Sequence, residues 1–178
     1  MSLDKEHQLK ANVAEVPLHP KGRISKPTKN FNGRQIVDIS TYTPYFLSTV
    51  NNALSRGASQ QYLKLFGVGI VEWRVISMLA SDPGIPASHM CAAIYLDKSG
   101  TSRALKNLLQ LKHVEFEAFT ADPRRKLWWL SPSGYDLHDQ ILEMALEREK
   151  KLLQGIEPED IEAFLRVIRQ MRHNVDKF

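Results

Sequence analysis

The chain has 178 residues, 43% hydrophobic and 25% charged, with a mean hydropathy of −0.32: the size of one folded domain with appendages, and a composition that excludes global disorder or a collagen-like chain. A net charge of +4 is modest, and the single cysteine, Cys91, excludes an intrachain disulfide. The longest apolar run, 68–80, is interrupted by Glu72 and Arg74 and falls far short of the roughly 20 residues that span a membrane. The N-terminus also lacks the apolar core of a signal peptide, so the expectation is a soluble cytoplasmic protein with no membrane partner.

Residues 1–40 carry Pro17, Pro20, Pro27, Gly22 and Gly33, seven bases against four acids and no apolar period, which predicts an extended or flexible basic arm ahead of a single domain over 41–178. From Tyr42, apolar residues recur at three- and four-residue steps through Tyr45, Phe46, Thr49, Val50, Ala53 and Leu54. This spacing predicts an amphipathic helix from Thr43 towards Phe66, with Gly57 as its weakest point. Residues 68–81 are apolar on several sides, as suits a helix buried between others, and Asp82-Pro83-Gly84 ends them. Pro86 opens a short helix carrying Met90, Cys91, Ala93 and Ile94, and Tyr95-Leu96 forms a tight turn. Asp97 reads as the N-cap of a helix from Lys98 to Leu111 that turns Leu105, Leu108 and Leu111 inward.

Two β-branched and aromatic runs follow, 114–119 and 126–130, separated by 120–125 with its Asp-Pro turn signal; together they predict a hairpin. Ser131-Pro132-Ser133 starts a long helix to about Gln154. A final amphipathic helix follows Glu157-Pro158 and carries Ile161, Phe164, Leu165, Ile168, Met171 and Val175.

Two short helices joined by a tight turn, the second capped and rich in Lys and small hydroxyls, then a hairpin with a basic tip: this order describes a winged helix-turn-helix. The second helix of such a module fits the major groove of double-stranded DNA, which makes Lys98, Ser99, Thr101, Ser102, Arg103 and Lys106 the groove-facing candidates. At the hairpin tip Asp122, Arg124, Arg125 and Lys126 are the wing candidates, since a guanidinium at a loop tip can enter a narrow minor groove. Residues 98–126 hold seven bases against three acids while 136–162 hold nine acids against three bases, so one part of the chain attracts phosphate and another repels it.

The ordered set of motifs from about Gly69 to Gly134 resembles the multiple antibiotic resistance regulator (MarR) family of winged-helix transcription factors. Glu72-Trp73-Arg74-Val75 is similar to the family's second-helix segment, and Asp97-Lys98-Ser99 with Ser102-Arg103 to the opening of its recognition helix. Asp122-x-Arg124 is similar to its wing signature, and Leu130-Ser131 with Gly134 to the start of its fifth helix. The resemblance runs over roughly Tyr42 to Val175. It implies a mainly α fold with a small β-hairpin wing: a winged helix-turn-helix over about 68–134, flanked by dimerisation helices over about 42–66 and 133–175.

The resemblance further implies a homodimer whose first and last helices interleave, with Tyr42, Tyr45, Phe46, Phe164, Leu165 and Ile168 as interface candidates. It implies a pseudo-palindromic operator, and a repressor that responds to a small aromatic or phenolic effector; Tyr62, Phe66 and Trp73 are the candidates to line the effector's pocket. Three departures stand out: Pro123 replaces a wing arginine, Pro86 replaces a hydroxyl helix cap, and Lys112 occupies a position where a glycine often turns the chain.

No nucleophile elbow, zinc-protease or phosphate-loop motif is present, so no enzyme activity and no cofactor are expected. The six histidines show no metal spacing within any helix, and no metal site is expected. Cys91 falls in the third helix, at a position that suits a small core residue. The alternatives are a helical protein-interaction module, or a thiol- or metal-responsive regulator of the same fold.

Overall fold

The computed structural model describes residues 23–119 and 122–177; the side chains of residues 119 and 122–124 lie outside this description. The elements in order are β1 (Thr28–Phe31), β2 (Arg34–Val37), α1 (Thr43–Phe66), α2 (Ile70–Ser81), β3 (Ile85–Pro86), α3 (Ala87–Ile94), α4 (Lys98–Gln110), β4 (Val114–Phe119), β5 (Asp122–Leu130), α5 (Pro132–Leu152) and α6 (Pro158–Val175). The mainly helical fold with a β-hairpin wing is that expected from the sequence. By contacts the chain divides within α1, into units of residues 1–55 and 56–178.

In the first unit, within the segment expected as an extended or flexible arm, β1 and β2 form an antiparallel hairpin over residues 28–37, with Phe31 paired to Arg34 and Thr28 to Val37. Its two-residue turn places Asn32 at φ 50° and Gly33 at φ 76°, the left-handed pair that the tightest hairpin turn demands. The Asn30 side chain accepts a hydrogen bond from the Gly33 amide at 3.1 Å.

The second unit holds one hydrophobic core. It is built from Val75, Ile76 and Leu79 of α2, Met90 of α3, Ala104, Leu105 and Leu108 of α4, Val114, Trp128 and Leu130 of the sheet, and Leu137 and Ile141 of α5, with Val68 and the α1 residues Ala58 and Tyr62. Each fully buried aliphatic side chain contributes about 1.5–3 kcal/mol relative to exposure, so this cluster sets the stability of the module. α1 runs unbroken through Gly57. A Cβ there would lie 3.2 Å from Arg148 Nη2, so the missing side chain leaves room for that arginine.

The small sheet has three strands, in the order β3-β5-β4, where two were expected. β3 contributes two residues, Ile85 and Pro86, paired with Trp128 and Leu127, and the Gly84 amide donates to the Trp128 carbonyl at 2.8 Å. Between the pairs Ala118–Lys126 and Phe119–Asp122 the register shifts, so residues 123–125 bulge from β5. A bulge is where a strand accommodates a proline such as Pro123. β5 therefore begins at Asp122, and most of the segment expected as a loop is strand. Trp128 and Trp129 point to opposite faces, as alternation requires. Trp128 is buried against Phe116, ring centres 5.1 Å apart, while Trp129 covers Gly84, where a Cβ would sit 3.2 Å from the indole.

α4 ends one residue earlier than expected, at Gln110, and Leu111 is 43% exposed instead of inward. The cause is the turn that follows: Lys112 takes φ 63°, which redirects the chain into β4.

Candidate nucleic-acid interface

Helix α4 starts where its sequence says it should. Asp97 Oδ1 accepts from the Gly100 amide at 2.8 Å and from the Ser99 hydroxyl at 2.6 Å, satisfying one of the orphan donors of the first turn. The Ser99 hydroxyl, then the Gly100 amide, hold the Asp97 carboxyl below the usual carboxylate range. The preceding turn is made by Tyr95, which caps α3 in the left-handed region at φ 50° and ψ 43°.

Of the six groove-facing candidates on α4, five are exposed: Lys98, Ser99, Ser102, Arg103 and Lys106. The sixth, Thr101, is a correction. It is fully buried, its hydroxyl donates to the Asp97 carbonyl at 3.2 Å, and it accepts from the Cys91 thiol at 3.3 Å. The residue that sequence reading assigned to DNA instead joins α3 to α4, because its helical position turns it towards α3. Cys91 is half-buried, not fully enclosed.

A cavity of about 650 Å³ lies between the start of α3, one face of α4 and β5. Lys98, Ser102 and Lys106 line it at four-residue steps along α4; Arg125 and Lys126 line the opposite wall, and Leu105, Leu109, Leu127 and Trp128 its floor. Four cations thus converge on one groove. The α3 residues Ala87, Ser88 and Cys91 complete it. Ser88 escaped the sequence reading, although its spacing to Cys91 on α3 would have placed it on the α4-facing side.

In the wing, the side chains of Asp122 and Arg124 lie outside the described residues, as does the connection at 120–121. Arg125 is exposed. Lys126 pairs with Ala118 next to the bulge, and its side chain is turned back onto the sheet: it is half-buried, with Nζ 3.8 Å from the centre of the Phe116 ring and 5.9 Å from that of Trp128. Both contacts are cation–π interactions that fix its aliphatic stem against the sheet.

The three expected pocket residues lie at or beside the hydrophobic core. Tyr62 is 2% exposed and meets Trp73 edge to face at 6.1 Å, Trp73 stacks on His138 at 5.6 Å, and Phe66 lies against the core. Burial pushes the Tyr62 phenol above its ordinary pKa. None of the three lines the cavity described above. Of the interface candidates, Tyr42, Tyr45 and Phe46 on or next to α1 and Phe164 and Leu165 on α6 are exposed, while Ile168 is half-buried. α6 buries none of its residues within the chain. Among the described residues no three His, Cys, Asp or Glu side chains gather to hold a metal, and no helix is long and apolar enough to cross a membrane.

Residues 66–125 match the MarR family model. No curated protein matches the chain. Among solved structures, a MarR/EmrR family transcriptional regulator from Acinetobacter sp. ADP1 is 28% identical, with a TM-score of 0.74 over 80% of this chain and 100% of that one. The MepR–DNA complex of S. aureus has 21% identity and a TM-score of 0.66 over 75% of this chain and 98% of that one. The PcaV transcriptional regulator from Streptomyces coelicolor, in complex with its natural ligand, has 16% identity and a TM-score of 0.66 over 78% and 96%. Over residues 66–125 the chain thus carries the sequence pattern of the MarR family, and it has the fold of the MarR-family transcription regulators to which it is similar.

Proposed function

We propose that the protein is a sequence-specific regulator of transcription that binds a pseudo-palindromic operator in double-stranded DNA as a homodimer, acts as a repressor in the cytoplasm, and carries out no catalysis. The observation that carries this reading is the groove between α4 and β5, where Lys98, Lys106, Arg125 and Lys126 converge beside an exposed helix face bearing Ser99, Ser102 and Arg103. Lysines at the groove edge suit phosphates, while Arg103 and the serines can meet base edges. Arg124 completes the wing's contact with the minor groove, with Asp122 two residues before it in sequence. That the similar MepR structure is a DNA complex supports the same use of the fold here.

Dimerisation follows from the apolar residues left uncovered on α1 and α6, with Tyr42, Tyr45, Phe46, Phe164, Leu165 and Ile168 in the interface. A two-fold dimer presents its recognition helices to half-sites about 10 base pairs apart. A small aromatic or phenolic effector that binds better to a dimer with wrongly spaced helices shifts the population away from DNA. The ligand-bound PcaV structure of the same fold supports ligand responsiveness.

The test is fluorescence anisotropy of the full chain against the duplex flanking its own gene and a scrambled duplex, at several salt concentrations. A preference of about a thousandfold or more for the flanking duplex is expected of a specific reader. Equal, weak and steeply salt-dependent binding to both, repeated with duplexes selected from a random library, would reduce the groove to a non-specific basic surface.

A further inference from the structure

Tyr95 occupies the turn between α3 and α4 with a left-handed backbone, a conformation that L side chains adopt only when their surroundings impose it. What surrounds it is the end of α6. The Tyr95 hydroxyl donates to Asp176 Oδ1, the Arg172 guanidinium lies 4.9 Å over the centre of the phenol ring, and Arg172 Nη2 donates to the Ala93 carbonyl at 3.3 Å. Ala93 is among the last residues of α3, whose carbonyls have no partner within the helix, so Arg172 both supplies a donor and places a cation at the negative end of α3. Arg172 and Asp176 are four residues apart and therefore share one face of the helix end.

We infer that Tyr95, Arg172 and Asp176 form a clamp through which α6 fixes the helix-turn-helix angle, making them positioning residues for base readout by α4. The inference rests on the DNA-reading function proposed above. None of the three lines the cationic groove. Phosphate attraction tolerates a change in the pitch of the recognition helix, whereas contacts to base edges require alignment. Releasing the clamp therefore lowers specificity and leaves non-specific affinity in place. Because the rest of α6 presents uncovered apolar side chains, the helix that holds the turn is the one whose other side chains await a partner subunit. The bond to Asp176 holds the Tyr95 phenol above its ordinary range, which gives the clamp a signature that needs no DNA.

The experiment uses the full chain and three variants, Tyr95→Phe, Asp176→Ala and the double variant. Each is titrated by anisotropy against a duplex selected from a random library by the wild type and against a scrambled duplex, at two salt concentrations. In parallel, the ultraviolet difference between the wild type and Tyr95→Phe is followed through alkaline pH. We expect each single change to lower the specificity ratio by about tenfold, an ordinary coupling magnitude, with an unchanged salt slope and no further loss in the double variant. The difference titration should lie above the free-phenol value of about 10 and return towards it in the Asp176→Ala background. Additive losses in the double variant would instead mean that the hydroxyl acts independently of Asp176, and would overturn the clamp. So would an unchanged specificity ratio in variants of a wild type that does select a duplex. A wild type that selects no duplex would overturn DNA reading, and the clamp's part in it, while the tyrosine titration still reported the contact.

Discussion

Glu72 in α2 and Asn107 in α4, 35 residues apart, are joined by a 3.1 Å hydrogen bond from Asn107 Nδ2 to Glu72 Oε1, while Glu72 Oε2 accepts from the Gly69 amide at 3.2 Å. One carboxylate thus closes the start of α2, where glycine offers no side-chain cap, and ties the recognition helix to its neighbour. Replacing Glu72 with Ala leaves two half-buried donors without an acceptor. Hydrogen bonds to charged groups contribute about 1.5–3 kcal/mol, and partial exposure argues for the lower end, so Glu72→Ala should cost about 2 kcal/mol. The change should lower Tm by about 4–8 °C. A thermal scan showing less than 1 °C of change would mean that water substitutes for the carboxylate.

Gly134, at the start of α5, is required by space. A Cβ there would lie 2.0 Å from the carbonyl oxygen of His113, which already accepts from the Ser131 amide. Backbone cannot swing aside as the end of a flexible side chain can, so Gly134→Ala should destabilise by about 3 kcal/mol through displacement of the strand start or the helix. Glu143→Ala, at an exposed position further along α5, is the control and should shift Tm little. Comparable stability of Gly134→Ala and wild type in chemical denaturation would show that α5 tilts without penalty.

Lys112 presents the opposite case, a side chain where glycine would fit. Its φ of 63° is strained for an L-residue by about 1–2 kcal/mol, while its carbonyl accepts from both the Ser131 and Ser133 hydroxyls at 2.7 and 2.8 Å, which holds the turn in place. Lys112→Gly removes the strain but loosens the unfolded chain by about 0.5–1 kcal/mol. The net expectation is a gain of up to about 1 kcal/mol, read as a higher midpoint in urea. A lower midpoint would mean that the lysine side chain contributes more than its backbone costs.

Much of this architecture was legible because local chemistry and tertiary packing agree. Asp97 and Ser131 cap the helices their sequence positions announce, and the 24-residue α1 carries Gly57 at a propensity cost of only about 1 kcal/mol. What escaped was decided at long range or without an apolar signal. β3 is two residues long, includes a proline with no amide to donate, and exists only through its pairing with Trp128 and Leu127. The β1–β2 hairpin announces itself only in Asn32-Gly33, because its strands lack the alternation that marks a buried face and bury no side chain. In the site, the lysines and serines of α4 were readable as one basic face. The inward turn of Thr101 was not, because a hydroxyl beside lysines looks solvent-facing until α3 brings Cys91 against it.

Asp97 should also leave a mark on the pH dependence of stability. Its carboxyl is held below the ordinary 3.8 by the Ser99 hydroxyl and the Gly100 amide, so the folded state prefers the ionised form. A depressed folded pKa contributes stability that is complete above the unfolded value and is lost as pH falls through the folded one, which places the loss below about pH 4. Asparagine caps a helix as well as aspartate but does not titrate. Asp97→Asn should therefore match the wild type near neutral pH and lose less stability between about pH 4 and 2. Asp38, lowered in the same direction by Ser40, is present in both proteins and cancels in the difference. Parallel stability curves over that range would remove the Asp97 cap from the acid limb.

The groove separates two lysines that a charge count treats alike. Lys106 is exposed on α4, whereas Lys126 is half-buried with its ammonium over Phe116. An exposed lysine that meets a phosphate releases about one counterion on binding, so Lys106→Ala should weaken all duplexes about uniformly and flatten the salt slope by about one unit. Lys126→Ala removes a cation already engaged by rings and a stem packed on the sheet. Its larger effect should be on stability, about 0.5–1 kcal/mol for the cation–π contact plus the lost packing, with a smaller change in salt slope. Anisotropy against log salt concentration, paired with a thermal scan of each variant, reads both quantities. Should Lys126→Ala flatten the slope as much as Lys106→Ala, the ammonium must leave the aromatic rings when DNA arrives, and this face of the wing would count as phosphate-binding surface.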